Sequence, residues 1–305
     1  MTSHYMVGVD IGGTKTDAVA IDVHGAIAGQ VRVRSGIGPD ALVASTLLAL
    51  HELAGQVGVK TIDFTSIGIG IPGTVVGGRV SHALNLAIDG LDLGAELDAR
   101  LGRSVSIDND VNAAALGAFH LLETDPSHSM AFLNLGTGLA AGLVLAGQLW
   151  RGSRGAAGEI GHVPIDPHGA ECPCGQRGCL ETVASGSGVA RMWPTDSDQP
   201  TSALFAAAAS GNAAAVAVRT RLVENVAAAV RMLVLTVDVD SVVLGGGVST
   251  LGDLIEDVRA VLARWESTSA FLASIELSRR VHGLPADFPA AAVGAAMVSS
   301  EPGGQ

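Results

Sequence analysis

The sequence predicts an α/β protein whose second half repeats the plan of its first, and three observations predict it. Short apolar, β-branched runs alternate with longer segments whose apolar residues recur at helical spacing. Glycine turns at Gly12-Gly13, Gly136-Thr137-Gly138 and Gly245-Gly246-Gly247 each follow a predicted strand. The chain of 305 residues also holds about two domains at roughly 150 residues each. With 48% hydrophobic but only 3% aromatic residues, its core must be built from Ala, Val, Leu and Ile.

Taken in order, residues 7–10 and 18–22 read as a hairpin around the Gly12-Gly13 turn. Residues 41–54 set Leu42, Leu47, Leu50 and Leu53 at helical spacing, and 66–71 alternate Ile67, Ile69 and Ile71 as a strand ended by Pro72-Gly73. Residues 91–101 are again helical, 104–108 form a strand with Val105 and Ile107 on one face, and 111–122 form an Ala-rich helix. The 131–145 segment returns to strand, glycine turn and strand. Asp10-Ile11-Gly12-Gly13 aligns with Asn134-Leu135-Gly136-Thr137, which points to an internal duplication. Residues 220–236 read as a long helix before a buried strand at 241–244, 185–212 as loops between short helices, and 290–299 as a closing helix. The expected division is a small N-terminal lobe, residues 1–110 joined by a C-terminal helix at 290–305, and a larger lobe, 111–289.

A net charge of −12, from 30 acidic and 18 basic side chains, repels phosphate backbones and anionic membranes, so nucleic acid and membrane are excluded as partners. Residues 130–150 carry no charge and are long enough to span a bilayer, but Asn134, Thr137, Gln148 and four glycines suit turns and strands instead. The first six residues have neither a basic nor an apolar leader region, so a cytoplasmic location is expected.

Three motifs carry chemistry. In Asp10-Ile11-Gly12-Gly13-Thr14-Lys15-Thr16, glycines let backbone N–H groups approach an anion, and a hydroxyl, an ammonium and a carboxylate stand beside them. Phosphate with a divalent ion is the natural ligand, and an ordinary tight hairpin with a solvated Lys15 is the alternative. The spacing is neither a Walker A loop nor a dinucleotide fingerprint. Asp108-Asn109-Asp110 lies where a strand gives way to a helix, the position of active-site groups in open α/β sheets. A carboxylate there can accept a proton from an attacking hydroxyl, or Asn109 or Asp110 can cap the helix. Finally, Gly158-Glu159-Ile160-Gly161-His162 precedes Cys172-Pro173-Cys174 and Cys179-Leu180-Glu181. His162, Cys172, Cys174 and Cys179 make a complete tetrahedral Cys3His set for zinc, with no position open for catalysis. Three cysteines within eight residues do not form a disulfide framework.

Together these motifs resemble the ROK family of bacterial sugar kinases, of the actin-like and hexokinase-like ATPase superfamily (ribonuclease H-like fold), over residues 7–296. The resemblance implies two duplicated lobes with an active-site cleft, ATP and Mg2+ as donor and cofactor, structural Zn2+ in the loop 162–181, and a homodimer or homotetramer. It implies that Gly12, Gly13, Thr14 and Lys15 form a first phosphate loop with Asp10 near magnesium. Gly136, Thr137 and Gly138 would form a second loop, and Gly245, Gly246 and Gly247 the adenosine end. Gly73, Asn85, Asn109, Glu159, His162 and Glu181 would contact the sugar, with Asp110 as catalytic base.

Two stretches depart from the family. After Asn85-Leu86 the run is Ala87-Ile88-Asp89-Gly90 in place of a tryptophan and proline, and Gly117-Ala118 stands where many relatives carry a glutamate. The expected reaction is transfer of the γ-phosphoryl group of ATP to the 6-hydroxyl of glucose or N-acetylglucosamine, with N-acetylmannosamine or another hexose as alternative. A sugar-binding regulator without catalysis is the rival from another class. The family's DNA-binding repressors need an N-terminal helix-turn-helix, and here the first strand is expected at Val7. Polyphosphate as donor is not favoured, because no basic donor groove is evident.

Overall fold

A computed structural model of the protein describes residues 4–122, 125–285 and 287–298. The end of the expected C-terminal helix, 299–305, lies outside the described residues.

The alternation of small and branched residues in the first strands sets up a sheet buried on both faces. β1 (Met6–Ile11) pairs antiparallel with β2 (Lys15–Ile21), and β2 with β3 (Ile27–Arg34), which the sequence reading did not delimit. α1 (Pro39–Val57) starts on a proline and ends at Gly58 in the left-handed conformation. β4 (Ser66–Ile71) then pairs parallel with β1. A small sheet follows, of β5 (Thr74–Val76), β6 (Arg79–Ser81) and β7 (Leu91–Asp92), and then α2 (Leu93–Leu101), capped by the Asp92 side chain. β8 (Ser106–Asn109) pairs parallel with β4 and leads into α3 (Asp110–Leu122). The order is β3-β2-β1-β4-β8.

The second sheet has the same plan. β9 (Met130–Leu135), β10 (Leu139–Leu145) and β11 (Gln148–Leu149) form an antiparallel run, so the uncharged 130–150 stretch is sheet. Among the described residues no single helix is long and apolar enough to cross a membrane. Four helices follow: α4 (Glu181–Ala184), α5 (Gly186–Met192), α6 (Pro200–Ala209) and α7 (Ala213–Val237). β12 (Ser241–Gly245) then pairs parallel with β9. α8 (Leu254–Thr268), α9 (Ala270–Ser274) and β13 (Val281–Gly283) complete an order β11-β10-β9-β12-β13. On one side of the first strand two strands follow, each antiparallel to the one before it, and on the other side two follow in parallel; this plan recurs in both sheets and is the duplication expected from the glycine turns.

The chain divides into two compact units. Unit 1 runs to Asp125 and takes in Arg151–Gly155 and the chain from Asp287, and unit 2 holds Pro126–Trp150 and Ala156–Ala286. The boundary therefore follows α3, where the sequence reading placed it at residue 110. The cause is the packing of α3 on α10 (Ala290–Val298), where backbones nearly touch. A Cβ on Gly117 would sit 2.0 Å from Ala290 O, and one on Gly294 1.7 Å from Ala113 O. Gly8 and Gly68, on β1 and β4, admit α10 in the same way, whereas Val7, Val9, Ile67 and Ile69 fill the core on the opposite face.

Candidate functional site

In unit 1 the β1–β2 turn, the end of β8 and two loops bring their polar groups together. Gly12 N–H donates to Lys15 O at 2.9 Å, and Ser35, just past β3, clamps the turn from outside. Its hydroxyl donates to Gly12 O at 2.7 Å and its N–H to Thr14 O at 3.1 Å. Neither Gly12 nor Gly13 needs a left-handed backbone; a Cβ on Gly13 would instead lie 3.3 Å from the Asn85 amide nitrogen. Thr14 and Lys15 are exposed on this turn.

Asp10 and Asp17 face each other across the β1–β2 ladder. The Asp10 carboxyl is pushed up to about 7 by burial first, then by the charges of Asp110 and Asp17, with Lys15 pulling the other way. Asp17 is paired with Arg32 at 2.5 Å, so Asp10 is the carboxylate left for a cation, and a positive ion beside it would offset the repulsion that adds to its burial.

Asn109, the last residue of β8, caps α3. Its Oδ1 accepts from Val111 N at 2.9 Å and from Asn112 N at 3.3 Å, while its amide donates to Gly73 O at 3.0 Å. Gly73 has a φ of 102° and its Cβ position lies 2.5 Å from Ser81 O, so only glycine fits this turn. Asp110 is the first residue of α3, and its Oδ1 accepts from Val111 N at 3.0 Å. Burial raises its pKa above the usual carboxylate value, against the lowering effect of these hydrogen bonds. Asp108 points the other way and is saturated: Oδ2 accepts two bonds from Arg151 at 2.8 and 2.6 Å, and Oδ1 accepts from Asn109 N and Asn112 Nδ2.

The departing run after Leu86 is a tight, ordered loop. Ala83 and Ile88 bond reciprocally, Ala87 takes a φ of 54°, and Leu86 and Ile88 are fully buried, leaving Leu84 and Asn85 exposed. Ala118, in the second departure, is also fully buried.

In unit 2, Gly136, Thr137 and Gly138 form the β9–β10 turn, closed by a bond from Gly136 N to Gly138 O at 3.1 Å. Gly245 ends β12, and Gly246, with a φ of 82°, packs its Cα against Leu135. Gly136, Thr137 and Gly247 share the wall of one cavity of about 550 Å³ with Ser187, Gln199 and Ser202. Its volume is in the range of small-molecule sites. The three polar side chains come from the 185–212 region, which the sequence predicts only as loops between short helices.

Beyond it lies the Cys3His cluster. Glu159 precedes a short 3-10 turn that ends at His162, and Gly158, with a φ of 89°, lets this turn pack against Ala141 O. The ligand atoms of His162, Cys172, Cys174 and Cys179 all lie within 4.8 Å of one another. Cys172 Sγ is 3.7 Å from His162 Nδ1, and Cys174 Sγ is 3.7 Å from Cys179 Sγ. Zinc with bonds of about 2.3 Å to sulfur and about 2.0 Å to nitrogen gives tetrahedral edges of about 3.6 to 3.8 Å, so the residues fit the ion. The Cys174 thiol is pulled down to about 6 by hydrogen bonds from Gln176, whereas burial pushes Cys179 up. His162 turns its other nitrogen toward Glu159, with Nε2 3.9 Å from Oε2. Glu181, the first residue of α4, turns toward the β9–β10 turn: its Oε2 accepts from Leu139 N at 2.9 Å.

The sequence profile of the ROK family matches residues 6–299. The chain belongs to the ROK family. It is 32% identical to the glucokinase of Halalkalibacterium halodurans over 277 residues, 84% of each chain. It is 34% identical to the N-acetylmannosamine kinase of Yersinia pseudotuberculosis over 270 residues, 83% of this chain and 87% of that one. The crystal structure of the ROK hexokinase from Thermus thermophilus aligns with a TM-score of 0.80 and 29% identity, covering 97% of this chain and 98% of that one. A ROK family glucokinase from Streptomyces griseus, in complex with glucose and AMPPNP, aligns with a TM-score of 0.77 and 28% identity, covering 97% and 99%. The expected two-lobed hexokinase-like fold and the expected class, a phosphotransferase with an alcohol acceptor acting on sugars, both stand. The family implies ATP and a divalent metal, and the Cys3His cluster is compatible with structural zinc.

Proposed function

We propose that this ROK sugar kinase transfers the γ-phosphoryl group of ATP to the 6-hydroxyl of a hexose, glucose or N-acetylglucosamine, with Asp110 as general base. The observation that carries the reading is the division of labour at the start of α3. Asn109 caps the helix, so the Asp110 carboxylate is not needed for that task, and its raised pKa suits proton acceptance. As the sugar oxygen approaches the γ-phosphorus, Asp110 takes its proton, which makes the oxygen a competent nucleophile without a free alkoxide.

Thr14 and Lys15 of the first turn, and the N–H groups of the second, would hold the polyphosphate. The adenosine end would enter the cavity lined by Gly247, Gln199 and Ser202. Asp10 would hold magnesium, which would supply positive charge to the phosphates. On the acceptor side, Gly73 carries the loop bonded to Asn109, and Asn85, Asn109, Glu159, His162 and Glu181 would bind ring hydroxyls. Zinc would fix the His162 ring through Nδ1 and leave Nε2 for the sugar. Zinc thiolate ligation also supports a reducing, cytoplasmic location.

The 34% identity to an N-acetylmannosamine kinase, together with the exposed Leu84 and Asn85 beside the altered loop, keeps that sugar as the second acceptor. A coupled ADP-release assay over glucose, N-acetylglucosamine, N-acetylmannosamine, mannose and fructose tests the proposal. Turnover of at least one hexose supports it, and sugar-independent ATP hydrolysis alone overturns it.

A further inference from the structure

The resemblance gives Glu181 to the sugar, yet its carboxylate is bound to the second phosphate turn. Oε2 accepts the Leu139 N–H at 2.9 Å, and a Cβ on Gly138 would lie only 2.6 Å from that oxygen. Glycine at 138 is therefore what lets the carboxylate reach the turn. The turn itself is fixed by its neighbours: Gly186 N–H donates to Gly136 O at 2.9 Å and Ser187 N–H to Thr137 O at 3.0 Å. Glu181 is equally well placed from the other side. It follows Cys179 by two residues, and Thr182 ties the start of α4 to Cys179 O through its N–H at 2.9 Å and its hydroxyl at 2.7 Å. One carboxylate thus stands between the zinc loop and a turn that has to receive a polyphosphate.

We propose that Glu181 couples the two substrates: without sugar it rests on Leu139 N–H and holds negative charge against the phosphate turn, and a sugar hydroxyl that donates to it draws that charge away. The inference rests on the sugar kinase reading above and adds to it the order of events at the site. A carboxylate within hydrogen-bond distance of the turn repels an incoming phosphate oxygen, and the partly buried setting keeps that repulsion from being screened. A hydroxyl on the carboxylate spreads its charge and competes for the oxygen that Leu139 now uses. Because linkage is reciprocal, nucleotide binding strengthens sugar binding by the same factor. The device would hold back ATP hydrolysis by water until an acceptor is present.

The test is equilibrium binding of a non-hydrolysable ATP analogue with magnesium, by calorimetry, with and without the hexose that the wild type turns over. In the wild type the sugar should tighten the triphosphate analogue about tenfold, within the usual range of coupling between sites. Adenosine, which carries no phosphate to be repelled, should show less than about twofold coupling. Glu181→Gln keeps an oxygen for Leu139 N–H but removes the charge. It should bind the analogue tightly without sugar, and coupling should fall below about threefold. Equal coupling for adenosine and the triphosphate analogue in the wild type, or undiminished coupling in a Glu181→Gln protein, overturns the inference while leaving the kinase reading intact. A wild type that phosphorylates no hexose overturns both.

Discussion

Replacing Asp110 by asparagine should separate catalysis from stability. The cap of α3 rests on Asn109, whose Oδ1 accepts from Val111 N and Asn112 N, and the amide introduced by Asp110→Asn keeps an oxygen for Val111 N. No helix-terminal bond is therefore lost. The charge works in the same direction: the Asp110 pKa is raised on folding from 3.8. A carboxyl that holds its proton more tightly in the folded state loses stability as pH rises from the unfolded value through the folded one. At neutral pH its ionised form is thus a cost to the fold. Asp110→Asn should leave stability unchanged or raise it by up to about 1 kcal/mol, a shift of a few degrees in Tm. Against this, kcat should fall about 10²- to 10⁴-fold, some 3 to 5 kcal/mol of transition-state stabilisation, because the amide accepts no proton. Sugar affinity should change by less than about threefold, since the amide still offers hydrogen bonds. Thermal unfolding and coupled ADP release on the same preparations measure both effects. Retention of more than about a third of kcat, or a stability loss above about 1 kcal/mol, would show that Asp110 serves as a helix cap.

Elemental analysis should find one zinc per chain, and Cys174→Ser, at an exposed ligand, should lose it and raise the sugar KM at least about tenfold. Nucleotide affinity should stay within about threefold, because the cavity proposed for the nucleotide shares no wall residue with the cluster. Zinc-free protein with an unchanged sugar KM would refute the assignment. Ala190→Phe places a ring in the cavity of about 550 Å³ beside Thr137 and Gly247 and should raise the KM for ATP at least about tenfold while sparing that for sugar. An unaltered ATP KM would move the nucleotide elsewhere.

Much of this was legible in the sequence because it depends on local chemistry. Glycine pairs after apolar runs marked the β1–β2 and β9–β10 hairpins, and Ile67, Ile69 and Ile71 marked β4 by alternation alone. The Cys3His set declared itself by composition and spacing. What was not legible depends on contacts between distant segments. Gly8, Gly68, Gly117 and Gly294 look like weak points in their elements until α10 is seen to approach within van der Waals contact of their backbones. That packing also draws α3 into the first unit, beyond the boundary expected at residue 110. Arg151 gives no local sign that it pairs with Asp108, and Ser35 none that it shapes the Gly12 turn. Glu181 is expected at the sugar only through the family resemblance, and its bond to Leu139 reaches across 42 residues, which no motif encodes.

The most direct test of the central claim is product analysis after incubating the wild-type protein with magnesium, γ-labelled ATP and each hexose in turn. The account predicts that label moves from ATP to the oxygen on C6 of glucose, N-acetylglucosamine or N-acetylmannosamine, seen as a hexose 6-phosphate by NMR, and that Asp110→Asn slows the transfer about 10²- to 10⁴-fold. Label recovered only as inorganic phosphate, or on a hydroxyl other than that of C6, would contradict it.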